Sequence, residues 1–227
     1  PEDVEEDDAK VRISLVPYSQ GVNLGSYAKK VKGGDFYSVS GSCVTERQDY
    51  STYEVMLTDD PYNYYKKSSP PPAQTFFGGG SSSCSSTSKL VPLTKSRTTL
   101  LPAISALNNT GGTAGQTGVA WGWYSLSPNY ANVWPVDSAP AAYSDGDTLK
   151  FAIIMTDGDN NRYYQYIEQE EQCGWVKKNG KSTWQCSTVA VNAWRETGES
   201  ESYNNTSSVR SRDICAAMKA ANIKVFG

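Results

Sequence analysis

Leu149-Lys150-Phe151-Ala152-Ile153-Ile154-Met155-Thr156-Asp157-Gly158-Asp159-Asn160-Asn161 is the stretch on which the reading of the fold turns. Its five consecutive apolar residues, Phe151 to Met155, are too few to cross a membrane. They also lack the alternation of a strand with one wet face, so they predict a strand buried on both faces of a parallel sheet. The turn cluster that follows carries two carboxylates, Asp157 and Asp159. Open α/β sheets bind ligands just past the carboxyl ends of their strands, which makes this acidic loop a candidate site. A plain turn at Asp157-Gly158 accounts for the same residues.

Outward from that stretch, composition narrows the possibilities. The 227 residues carry a net charge of −3, with a pI near 5.1, so no basic face is expected and nucleic acid is not an expected partner. No apolar run approaches the roughly 18 residues of a spanning helix, and no signal peptide is read in the chain. Histidine is absent altogether, which excludes Ser-His-Asp and Cys-His catalysis and histidine zinc sites. Five cysteines, 15 tyrosines and long Ser/Asn/Gly-rich stretches fit an exported protein in an oxidising compartment.

Residues 2–8 are nearly all acidic, and Val11 to Val16 alternates like a strand. Residues 41–89 read as an irregular insertion, rich in Tyr, Pro, Gly and Ser. A Cys43–Cys84 disulfide would staple it, removing roughly 4 kcal/mol of unfolded-state entropy. Leu90 to Thr94 suggests a strand, followed by a helix with Leu100, Ile104 and Leu107 on one face and Pro102 inside it. A second helix is predicted over about Ala114 to Leu126, with Val119, Trp123 and Leu126 on one side. Ser127-Pro128 should end it. Residues 160–207 form a second insertion. Val209 to Ala221 is then expected as a helix burying Ile214, Ala217, Met218 and Ala221, with Asn222 at its end. Ile223 to Phe226 begins another strand. Strand, helix, strand, helix, strand predicts a doubly wound α/β domain over residues 1–227, with a mostly parallel sheet.

Cys173 to Cys186 is the sharpest local signal. Asn179-Gly180 between strand formers calls for a two-residue type I′ hairpin. That register sets Lys178 opposite Lys181, Val176 opposite Thr183, Trp175 opposite Trp184 and Cys173 opposite Cys186. The Trp and Cys pairs fall on one face at non-hydrogen-bonded positions, where Cα atoms are roughly 4.5 Å apart, within reach of a disulfide. The hairpin serves either as structure or as a partner-binding knob. Cys215 is left over, on the apolar side of the last helix, as a half-buried unpaired thiol.

The order helix, Gly111-Gly112-Thr113, helix, apolar strand, Thr156-Asp157-Gly158 resembles a von Willebrand factor A domain, and within that class the TadG-like proteins of tight-adherence (Flp) pilus assembly. Leu15-Val16-Pro17-Tyr18, Leu90-Val91-Pro92-Leu93-Thr94, Gly118-Val119-Ala120-Trp121-Gly122-Trp123, Leu126-Ser127-Pro128 and Cys215-Ala216-Ala217-Met218 carry the rest of the likeness. The resemblance implies a metal-ion-dependent adhesion site (MIDAS) with Thr113 and Asp157 as ligands, Asp159 beside them, and Mg²⁺ or another divalent cation bound. An Asp-x-Ser-x-Ser loop, which the family also uses, has no counterpart here. The resemblance therefore implies that the family's first strand precedes Pro1, that the end of the domain follows Gly227, and that this chain alone holds metal weakly or not at all. The expected function is a non-enzymatic interaction module of the bacterial cell envelope, periplasmic or at the cell surface. Its parent would be anchored in the inner membrane, with a pilus or envelope protein as partner. The alternatives are a structural envelope domain with a vestigial metal site, and a metal-dependent hydrolase using Asp157 and Asp159. A calcium-loop reading of Asp157, Asp159, Asn161 and Glu168 meets Arg162 where the tight turn requires glycine.

Overall fold

The computed structural model describes residues 11–32, 41–47, 55, 57–59, 84–85, 87–108, 111–156 and 158–227. Within them, β1 (Ile13–Leu15) pairs antiparallel with β4 (Val91–Thr94), and β2 (Val22–Asn23) antiparallel with β3 (Cys43–Val44). β5 (Phe151–Ile153) runs parallel to β8 (Lys224–Phe226), with Ala152 opposite Val225. β6 (Arg162–Lys178) and β7 (Lys181–Gly198) form one long antiparallel hairpin. The helices are α1 (Ala28–Val31), α2 (Arg97–Ser105), α3 (Gly115–Leu126) and α4 (Thr206–Ala220).

Among the described residues the expected doubly wound parallel sheet is not present. The described strands make four separate two-stranded sheets, of which only β5–β8 is parallel. The expectation that Phe151 to Met155 lies buried on both faces fails with it. Ala152 faces the core, but Phe151 is 47% exposed, Ile153 74% and Met155 81%. The physical reason is that a run of apolar residues reports hydrophobicity without naming its cover. Here protein covers one face of β5 and leaves the other bare. α2 shows the same limit: Leu100 is buried, whereas Ile104 and Leu107 on the predicted apolar face are exposed.

The core is built around α3, in which ten of twelve residues are buried. Trp121 stands edge-on to Tyr124 at 5.1 Å, and Tyr124 stacks on Tyr130 at 4.6 Å. Trp134 packs edge-on to Tyr27 at 5.4 Å. Buried indoles need a partner for their N–H. Trp121 Nε1 donates to the Thr45 carbonyl at 3.0 Å, and Trp134 Nε1 to the Tyr124 carbonyl at 3.4 Å. Gly118 lets the Tyr18 ring lie directly on the helix, where a side chain would collide with it.

α4 packs against α3 through Ile214 and Met218, both buried. It begins three residues before the predicted start because Asn205 caps it, accepting the Ser208 N–H at 2.8 Å. The Glu199 carboxylate accepts two further N–H groups, of Thr206 at 2.8 Å and Ser207 at 2.6 Å. Its negative charge suits the positive end of the helix. At the other end Asn222 takes the left-handed conformation, φ 62°, that commonly stops a helix.

Candidate functional site

The Asn-Gly turn is a positive-φ pair, Asn179 at 52° and Gly180 at 79°, as a type I′ hairpin requires. The strands close on it in the predicted register, with Lys178 opposite Lys181, Trp175 opposite Trp184 and Cys173 opposite Cys186. Cys173 and Cys186 form a disulfide with Cα atoms 3.9 Å apart. The hairpin does not stop at Cys173 and Cys186, however, but continues to Arg162 and Gly198, with one irregularity between Ile167 and Gln169. A strand of 17 residues spans roughly 55 Å at about 3.3 Å per residue. The element is an arm.

From Glu168 to Thr188 every residue is exposed except the half-buried Gly174. Trp175 and Trp184 meet at 5.6 Å and 72°, and remain 70% and 57% exposed. Charge is segregated along the arm. Glu168, Glu170 and Glu171 lie on the shaft, whereas Lys177, Lys178 and Lys181 crowd the tip, and no acidic residue occurs from Gln172 to Trp194. Alternation sets Lys177, the two tryptophans and the disulfide on one face. Val176, Lys178 and Lys181 lie on the other.

The base of the arm is anchored by polar contacts. Tyr164 is buried, and its carbonyl accepts from Arg210 Nη1 at 2.9 Å. Arg210 also meets the buried Glu46 carboxylate at 3.0 Å, and Thr117 Oγ1 donates to the other Glu46 oxygen at 2.6 Å. Arg162 pairs with Glu196 across the strands at 3.3 Å. Just before β6, Asn160 and Asn161 act as clamps. Asn160 Oδ1 accepts the Gly115 N–H and Asn161 Oδ1 the Thr113 N–H, each at 2.9 Å. The Asn161 N–H returns to the Thr113 carbonyl at 2.9 Å, and the Glu199 N–H reaches the Asn161 carbonyl at 3.0 Å. Asn205 Nδ2 donates to the Asn160 carbonyl at 2.5 Å. The start of α3, the start of α4 and the root of the arm thus meet at two asparagines.

This junction brings the Gly111-Gly112-Thr113 loop against the chain that follows the acidic turn. Thr113 is half-buried there, and Asp159 is exposed. Asp157 lies outside the described residues. Thr113 and Asp159 supply one hydroxyl and one carboxylate, and the neighbouring asparagine oxygens already accept backbone N–H groups. Among the described residues these donors do not make the six-oxygen shell that magnesium takes. Among the described residues, three acidic or thiol ligand atoms come close enough to share an ion only at Glu171, Cys173 and Cys186. Both thiols there are held in the disulfide.

Cys43 joins Cys84, Cα atoms 5.7 Å apart, and Cys215 stays a half-buried free thiol, the assignment expected from sequence. Burial pushes the Cys215 thiol up from its ordinary value, against the pull of Lys219. Sequence reasoning missed the Glu46–Arg210 pair and Lys150. Lys150 is buried beneath the loop after α3, and its ammonium donates to the Leu126 and Ala141 carbonyls, each at 2.7 Å. Beside it Asp59 accepts from Ser127 Oγ and the Tyr143 hydroxyl, each at 2.5 Å.

No family model, curated protein or solved structure matches the chain.

Proposed function

We propose that this chain is a non-enzymatic interaction module that works outside the reducing cytoplasm and reaches an envelope component through the β6–β7 arm. The observation that carries the reading is the arm itself. Two large aromatic side chains are held in solvent at the end of a rod that the body does not cover, and a disulfide sits just behind them. Exposed apolar groups gathered at one place mark interaction sites. Two disulfides fit an oxidising compartment. Without histidine the chain has no Ser-His-Asp or Cys-His machinery. The tight-adherence pilus setting enters as a proposal resting on the sequence likeness alone.

A photo-crosslinking residue placed at Ser182, beside Trp184 near the tip, tests the reading in the cells that make the protein. Crosslinks from position 182 to an envelope component, with none from the exposed Asp147 on the body, are the expected result. Equal crosslinking from both positions would sink it.

A further inference from the structure

We infer that the tip of the arm docks on the surface of an anionic lipid bilayer. The inference rests on the reading of the arm as the contact element and names what it contacts.

The chemistry of the tip suits a membrane surface. Trp175 and Trp184 are amphipathic rings, and tryptophan concentrates at membrane–water interfaces, where its ring is sheltered and its N–H stays wet. Lys177 shares their face and Lys178 and Lys181 lie on the opposite one, no acidic residue occurs from Gln172 to Trp194, and Glu171 lies beside the disulfide at the base of the tip. Long lysine stems lie along apolar surface while the ammonium reaches headgroup phosphates. Each basic residue near an anionic surface strengthens binding about fivefold, so three together contribute roughly a hundredfold.

The shape of the tip suits it too. The tip is convex and wet on both sides, with the tryptophan pair on one face and Val176 on the other. Residues 173–186 number fourteen, short of the ~20–30 residues a side of a standard protein–protein interface. A soft, flat surface needs no matching groove and accepts such a knob. The acidic shaft is repelled by the same surface, so attraction is confined to the tip.

The test is flotation of the intact chain with mixed phosphatidylglycerol–phosphatidylcholine vesicles, and with pure phosphatidylcholine vesicles. Binding to the anionic vesicles is expected, falling at least tenfold on the neutral ones, in Lys177→Gln/Lys178→Gln/Lys181→Gln and in Trp175→Ser/Trp184→Ser. Both variants keep the disulfide and the Asn-Gly turn, and unchanged melting of the body verifies that they fold. No flotation with anionic vesicles, or flotation that survives both sets of substitutions, would overturn the inference. Titration with polyglutamate separates the two readings. Tip-dependent polyglutamate binding without flotation overturns the membrane and leaves the arm a contact for an acidic protein. Failure of the Ser182 crosslinks removes the arm reading as a whole.

Discussion

A buried carboxylate gripped by an arginine is the residue on which the junction of arm and body depends. Glu46 is almost fully buried, and Arg210 reaches it at 3.0 Å while also holding the Tyr164 carbonyl. Removing the guanidinium from a buried pair costs about 3–5 kcal/mol. Arg210→Met should lower the urea midpoint accordingly. Arg162→Met, which removes the more exposed pair with Glu196, should cost about 1 kcal/mol or less. Equal effects from the two would refute the distinction. Lys150 carries a pH signature. Burial, aided by the nearby Arg12 charge, lowers its ammonium from the ordinary 10.5 to about 8. Between those values the unfolded chain holds a proton that the native chain has released, so raising the pH favours the native state there. Compared with Lys150→Met, the wild type should gain in urea midpoint from about pH 8 to 10.5 and show a constant difference below pH 8. A difference that shrinks over that window would contradict the assignment.

Among the elements, the arm is the one least dependent on the core. An isolated two-stranded hairpin is marginal in water, so its distal part relies on the Asn-Gly turn, the tryptophan pair and the disulfide. In Cys173→Ser/Cys186→Ser, amide exchange in residues 168–190 should accelerate while the melting of the body stays within about 1 °C, because a few kcal/mol are lost from the arm alone. A fall in the melting temperature of the whole body would show that arm and body unfold as one. The tip was legible in the sequence because Asn179-Gly180 fixes the register and every pair outward follows from it. The shaft was not. Arg162 to Gln172 is wet on both faces beyond Ile167, so no alternation marks it as strand. The clamps at Asn160 and Asn161 were hidden for a similar reason: side-chain bonds to backbone 45 and 48 residues away leave no periodic trace.

At the scale of the molecule, the hydrophobic run Phe151 to Met155 announced a strand correctly at Phe151–Ile153 and misled about its surroundings. α3 and α4 have the right boundaries to within a few residues, because capping and apolar spacing are local. The pairing of strands is a long-range choice, and three-residue strands carry too little pattern to make it. The result is a bare face on which Phe151 and Phe226 stack at 6.3 Å, with Ile153 and Met155 beside them. Parallel sheets are ordinarily covered on both faces, so this patch should drive self-association of the chain. Ile153→Lys is expected to shift sedimentation velocity profiles toward monomer with little loss of stability, since the side chain is mostly in solvent already. Unaltered association by that variant would place the contact elsewhere.

The root of the arm has a mechanical consequence. β6 and β7 leave the body side by side, so tension applied at Asn179 along the arm stretches both strands in the same direction. The hydrogen bonds between them then bear almost no shear, and the Cys173–Cys186 bridge shares the load between the strands. The pull arrives at the knot where Asn161 grips Thr113 and Glu199 grips Asn161. The arm therefore behaves as a cable whose weakest point is its mooring. In single-molecule stretching from position 179, the first rupture should come at the same force with or without the disulfide, and should fall when Asn161→Ala loosens the knot.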